Sequence, residues 1–365
     1  MAGVCRDHRS SSLAPPKARF DRAALVVDYD RQMSIRSVAV GAMRAARTSH
    51  SLRRFDALAR GGKTRRAVCL VYGNCQAEPI RALLERVPEF ADSYEAVQIP
   101  PVHLIRDPEI AKLQRVFGTA SLVIAQPIKD GYRGLPLGMR EMVAFAPRDC
   151  ELIRFPALHY DALYPFQVDV HIRGRQAIQA PLTMYHDLRT LCAAAKELSA
   201  ADAARWVSHY SPPASRLLGL AEQAAARIRN RASATDIPAL DAVITAADGH
   251  ARSFFTVNHP ARFVLAHLAD GVCASLGFIT AEAPRSGREP LGVIRTPLES
   301  AVIDALGLAG DTVPDWVIKG KRIANADVVE LHLDWYRRHR EVMRSGLREH
   351  AERIADFGLL KPMPY

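Results

Sequence analysis

The chain has no apolar run approaching the eighteen or so residues that a membrane-spanning helix requires. No spanning segment is expected, and the body should be soluble. Its six cysteines, at positions 5, 69, 75, 150, 192 and 273, form no Cys-x-x-Cys pair and have no histidines at zinc-site spacing. That excludes a zinc module and fits reduced thiols in a cytoplasm; no metal is expected. There is also no glycine-rich phosphate loop of the Walker or Rossmann kind, so a bound phosphate would have to be held by individual cations.

Surplus charge of one sign is missing from most of the chain. The 365 residues carry a formal net charge of +10, a value that would suit a nucleic-acid binder. Residues 1–66 hold 15 Lys/Arg against 5 Asp/Glu, whereas residues 67–365 hold 34 of each. The body is neutral, and no nucleic-acid partner is expected. The basic stretch includes Ser51-Leu52-Arg53-Arg54 and Gly61-Gly62-Lys63-Thr64-Arg65-Arg66 and has little apolar periodicity, so residues 1–65 read as a disordered tail. A targeting peptide is disfavoured by the lack of an apolar core and by Asp21, Asp28, Asp30 and Asp56. A native start at Met33 or Met43 would account for the stretch; its functional reading is weak peripheral association with anionic membrane lipid.

What is present begins with the apolar run Ala67-Val68-Cys69-Leu70-Val71-Tyr72. Strands are expected over 68–72, 96–99, 121–125 and 151–155, with helices near 77–86 and 108–117 and a further segment near 137–145. Strands separated by helices imply a short parallel sheet with helices on its faces, the α/β class. Residues 66–180 would form this domain. Residues 181–365 read as mainly helical, with helices near 203–210 (capped by Ser199 with Asp202), 214–231, 237–247, 260–276 and 327–354 and a loop over 284–292.

Ligands in parallel sheets lie at the carboxyl ends of the strands, which is where the polar motifs fall. Gly73-Asn74-Cys75-Gln76 follows the first strand. Glycine permits a sharp bend there, and the N–H groups opening the next helix favour a thiolate on Cys75 or an oxyanion on a bound acyl group. The alternative is a small buried thiol in an ordinary turn. Gln126-Pro127-Ile128-Lys129-Asp130-Gly131-Tyr132-Arg133 follows the third strand and could hold a phosphate or sugar, or simply connect elements at the surface. Phe155-Pro156-Ala157-Leu158-His159-Tyr160 follows the fourth; its aromatics could stack on an adenine or sugar ring, or pack on one another. In Thr256-Val257-Asn258-His259-Pro260, proline at a first helical position would place His259 at the cap, where the helix terminus keeps its ring neutral and able to act as a general base.

Taken in order, these four motifs resemble those of the WcbI-type capsular polysaccharide biosynthesis acetyltransferases. The likeness covers roughly residues 66–280. It implies an enzyme, an acyltransferase that takes coenzyme A or acetyl-coenzyme A as co-substrate and O-acetylates a sugar or glycan acceptor. Carried over position by position, it implies Cys75 and His259 as catalytic, Gly73, Asn74, Gln76, Gln126 and Asn258 as oxyanion or substrate contacts, and Tyr132, Arg133, His159 and Tyr160 as coenzyme contacts; Lys129, close in sequence to these motifs, is a further candidate cation for the coenzyme. The strand and turn around Cys75 also look distantly like the first block of SGNH hydrolases, with cysteine replacing serine. The aspartate those proteins place two or three residues before the histidine is absent, since Phe255, Thr256 and Val257 stand there. An esterase acting on acetylated glycans, or a non-catalytic glycan-binding protein, remains the alternative.

Overall fold

The apolar hexapeptide Ala67–Tyr72 forms strand β1, one of the two inner strands of a four-stranded sheet. A computed structural model describes residues 50–172, 177–245, 252–278 and 282–360. The other strands are β2 (Tyr94–Val97), β3 (Leu122–Ala125) and β4 (Glu151–Arg154), in the order β2-β1-β3-β4 with every pairing parallel. Strand β2 starts two residues before its expected position. A short unanticipated helix, Pro88–Ser93, delivers Tyr94 directly opposite Ala67. Pro100 and Pro101 follow at its far end, where a proline cannot donate to a ladder.

Alternation along β1 divides the interior in two. Cys69 and Val71 face one core and Val68, Leu70 and Tyr72 the other, as a period of two requires in a sheet covered on both faces. The smaller core is closed by α1 (His50–Ala59) and α2 (Asp107–Phe117). The disordered tail expected over residues 1–65 is corrected here for its last part. Phe55, Leu58 and Ala59 recur at helical spacing and are all buried against the sheet, so a short amphipathic helix forms despite the arginines around it. Residues 1–49 lie outside the described residues.

The larger core joins the sheet to the helical second half. Side chains from Cys69 to Leu359 belong to it, so the hydrophobic interior runs continuously across residue 180. The helices here are α3 (Leu188–Ala195), α4 (Ala200–His209), α5 (Ala214–Ala232), α6 (Arg262–Ser275), α7 (Asn325–Arg338) and α8 (Arg340–Glu349), with small antiparallel sheets between them. Helix α3 was not anticipated; the Asp187 side chain caps it by accepting from the N–H groups of Arg189 and Thr190. Ser199 caps α4 through the Asp202 N–H at 3.1 Å, as its spacing predicts. The single helix expected over 327–354 is broken at His339 and His350, where the backbone leaves the helical region (ψ of 57° and 24°).

Candidate active site

At the carboxyl end of the sheet the chain leaves β1 at Gly73 and enters the helix Ala77–Leu84, which has Gln76 at its N-cap. Gly73 is required by proximity. A Cβ at this position would stand 2.7 Å from Oε1 and 2.9 Å from Cδ of Gln126, and the backbone there does not have positive φ. The expected bend-permitting role is therefore replaced by close approach.

Gln76 is the centre of the arrangement. Its side chain is fully buried; Nε2 donates to the Leu158 carbonyl at 2.7 Å and the Asn258 carbonyl at 2.9 Å, and Oε1 accepts from the Leu158 N–H at 3.0 Å. Gln126, also buried, donates its Nε2 to Gln76 Oε1 at 3.3 Å and accepts the Asn74 N–H on its own Oε1 at 2.8 Å. Both carboxamides thus face protein partners, and the two side chains fasten four loops to one another. Expected as contacts to an oxyanion or substrate, they occupy supporting positions in this structure. The short turn Val102–Leu104 joins the same assembly, since the Val102 N–H donates to the Gly73 carbonyl at 2.9 Å.

His259 does not cap a helix. Phe254–Thr256 and His259–Pro260 pair as a tight antiparallel hairpin, with Thr256 opposite His259, and α6 begins only at Arg262 after Ala261 as N-cap. Proline at 260 ends a strand here, and the expectation drawn from its preference for a first helical turn is corrected. The ring is nevertheless neutral, because burial pushes its pKa down to about 4, with His103 pushing the same way. Its Nδ1 is buried and has no hydrogen-bond partner.

Cys75 is half-buried, and burial pushes its thiol up to about 12, against a smaller lowering by its own backbone N–H. The expected thiolate is corrected. Desolvation outweighs the helix terminus, so the resting group is a thiol. Asn74 spends its Oδ1 on the Gln76 N–H at 2.9 Å, and the Asn258 Oδ1 accepts from the Thr256 hydroxyl at 3.2 Å. Both residues are half-buried, with their carboxamide NH2 groups turned away from those bonds. The Gln76–Asn258 bond links the immediate neighbours of Cys75 and His259.

The remaining expected residues fall into three environments. Lys129 and Arg133 are exposed, Tyr132 is half-buried against the smaller core, and the Arg133 guanidinium donates to the His103 carbonyl. Arg133 holds φ of +59°, an uncommon conformation for a side-chain-bearing residue, between Gly131 and Gly134. His159 is half-buried with an unpartnered Nδ1, and burial lowers its pKa to about 4 while Asp161 opposes the shift. Tyr160 is 2% exposed, its ring 5.8 Å from that of Phe254 and its N–H bonded to the Val257 carbonyl, which is the packing alternative.

Two residues were missed. His103 is half-buried, lies within electrostatic reach of His259 and carries the carbonyl that receives Arg133. Its position just beyond the carboxyl end of β2 was a usable signal. Tyr185 is buried, and burial together with Asp169 and Cys75 raises its pKa well above the usual phenol value; nothing local in the sequence marks it. Among the described residues no group of three or more His, Cys, Asp or Glu could hold a metal ion, and no helix is long and apolar enough to cross a membrane.

The profile of the family described as "Polysaccharide biosynthesis enzyme WcbI" matches residues 68–280. No curated protein matches the chain. The fold is similar to a solved structure of WcbI, described as a polysaccharide biosynthesis enzyme in its native form without a disulfide bond between coenzyme A and one of its cysteines. The TM-score is 0.69 at 19% identity, over 81% of this chain and 98% of that one.

Proposed function

Because the chain belongs to the WcbI family of polysaccharide biosynthesis enzymes, we propose that it is a coenzyme A-dependent acyltransferase that O-acetylates a sugar or glycan acceptor from acetyl-coenzyme A. The observation that carries this reading is the buried Gln76 carboxamide at the carboxyl end of the sheet, which follows Cys75 in the chain and bonds the Leu158 backbone and the carbonyl of Asn258, the residue before His259. The coenzyme link named for the WcbI structure supports it. In this reading Cys75 lies beside the coenzyme sulfur, and the exposed Lys129 and Arg133 meet its phosphates.

The electrostatics favour direct transfer. A thiol near 12 and an imidazole near 4 do not form a resting thiolate–imidazolium pair. A neutral His259 is suited instead to take the proton of an acceptor hydroxyl as its oxygen attacks the acetyl carbonyl carbon. The carbonyl oxygen becomes the oxyanion, for which the Asn74 NH2 and the Cys75 N–H are the assigned donors. The carbon–sulfur bond then breaks, and the coenzyme thiolate recovers the proton from His259. Gln76 and Gln126 position the loops without touching substrate.

Rapid-quench mass spectrometry with acetyl-coenzyme A and an accepted glycan tests this order of events. Direct transfer predicts no acetylated Cys75 peptide and substantial turnover by Cys75→Ser. A Cys75 acetyl adduct formed and consumed at the rate of turnover would establish the covalent route instead. An enzyme that releases acetate from simple esters with no coenzyme present would be an esterase.

A further inference from the structure

At the opposite end of the sheet, where β1 begins, α1 and the turn that follows it line an open depression of about 610 Å³. Its walls carry Arg53, Arg54, Lys63, Arg65 and Arg66 against a single carboxylate, Glu95. That carboxylate is already committed, with its Oε1 3.0 Å from the Arg54 guanidinium. Arg66 donates to the Ala91 carbonyl. Arg53, Lys63 and Arg65 are exposed, and no carboxylate among the described residues forms an ion pair with them.

The concentration of charge is local. Residues 67–365 hold equal numbers of acidic and basic side chains, so the depression stands out from a neutral body. Residues 1–49, which precede α1 in the sequence, carry nine Lys/Arg against four Asp/Glu. Six residues of extended strand, about 20 Å, separate this end from Gly73, so a ligand here leaves the Cys75 turn clear.

We propose that this depression is a phosphate-binding dock for the headgroups of an anionic phospholipid surface. Guanidinium groups take two phosphate oxygens each and Lys63 adds a point charge, a donor set suited to several neighbouring phosphates. The occupant is a bilayer rather than a soluble anion because four of the five cations stand exposed on the rim, where a flat sheet of charge reaches them together. Docking this way turns the carboxyl end of the sheet, with its candidate active site, toward water. The inference does not depend on the acetyltransferase reading.

The test is sedimentation of the full chain with phosphatidylcholine vesicles containing 30% phosphatidylglycerol, beside pure phosphatidylcholine vesicles, at about 0.1 M salt. Binding to the anionic vesicles alone is expected. The triple variant Arg53→Ala/Lys63→Ala/Arg65→Ala should weaken it on the order of 100-fold. A charge-matched control, Arg340→Ala/Arg344→Ala/Arg348→Ala on the exposed face of α8, should change it less than about threefold. Circular dichroism confirms that both variants are folded. Equal loss in the two variants would reduce the effect to net charge, and undiminished binding by the first would move it to residues 1–49. Either result overturns the assignment, as would pyrophosphate binding at the depression with no vesicle binding at all.

Discussion

The two ends of one four-stranded sheet are built in opposite ways. At the carboxyl end the thiol and imidazoles are withdrawn from water and uncharged, near 12 and near 4, with Gln76 and Gln126 holding the loops and only Lys129 and Arg133 of the site candidates exposed as cations. At the amino end five cations stand in or beside water with one committed carboxylate. Groups that exchange protons during a reaction gain from a dry, fixed setting, where small movements of charge carry large energies. Groups that only attract an anion work from the surface, where they keep their hydration and feel salt.

That contrast breaks first at His259. His259→Gln should lower kcat/KM by about 10²- to 10⁴-fold, the range for losing a general base, while leaving vesicle binding at the amino end unchanged. Steady-state kinetics beside sedimentation would show both. Next in size is Gln76→Leu, which leaves the Leu158 N–H and carbonyl and the Asn258 carbonyl without their side-chain partner. Each buried group left unpaired costs about 1–3 kcal/mol, so urea unfolding should show a loss of roughly 3 kcal/mol or more, with activity falling alongside.

Acid should separate the two ends by a further, smaller effect. The folded pKa values of His159 and His259 lie near 4, below their ordinary 6.5, so between these limits the unfolded chain binds more protons and stability falls as pH falls. Each ring contributes up to about 1.4 kcal/mol per pH unit inside that window. The thermal midpoint should drop from pH 6.5 to pH 4, and His259→Gln should flatten part of the slope. Smallest of all should be the effect of raising salt from 0.05 to 0.3 M on kcat, within about twofold, whereas vesicle binding through Arg53, Lys63 and Arg65 should collapse.

The sequence made the carboxyl end more legible than the amino end, for physical reasons. Strong apolar runs bounded by polar turns announce buried parallel strands, and the strand-end rule put Cys75, Gln126 and His159 at one edge of the sheet. It could not show that the Gln76 and Gln126 amides look inward, because a carboxamide is equally able to serve a ligand or three backbone groups. Pro260 misled for a similar reason. Its fixed φ suits a first helical turn and the end of a strand alike, and the pairing of Thr256 with His259 decided between them. His103 rests on a turn of only three residues after two prolines, too short for any periodicity to register. At the amino end, the arginines flanking Phe55 and Leu58 hid a helix whose apolar face is only three residues wide.

Calorimetric titration of acetyl-coenzyme A and coenzyme A into the purified full chain is the most direct test of acyl transfer at the Cys75 turn. Saturable binding is predicted, weakened several-fold or more by Arg133→Ala and unchanged by the Arg53→Ala/Lys63→Ala/Arg65→Ala variant. A folded protein that binds neither compound, or that loses binding only with the amino-end cations, would contradict the placement of acyl transfer at the Cys75 turn.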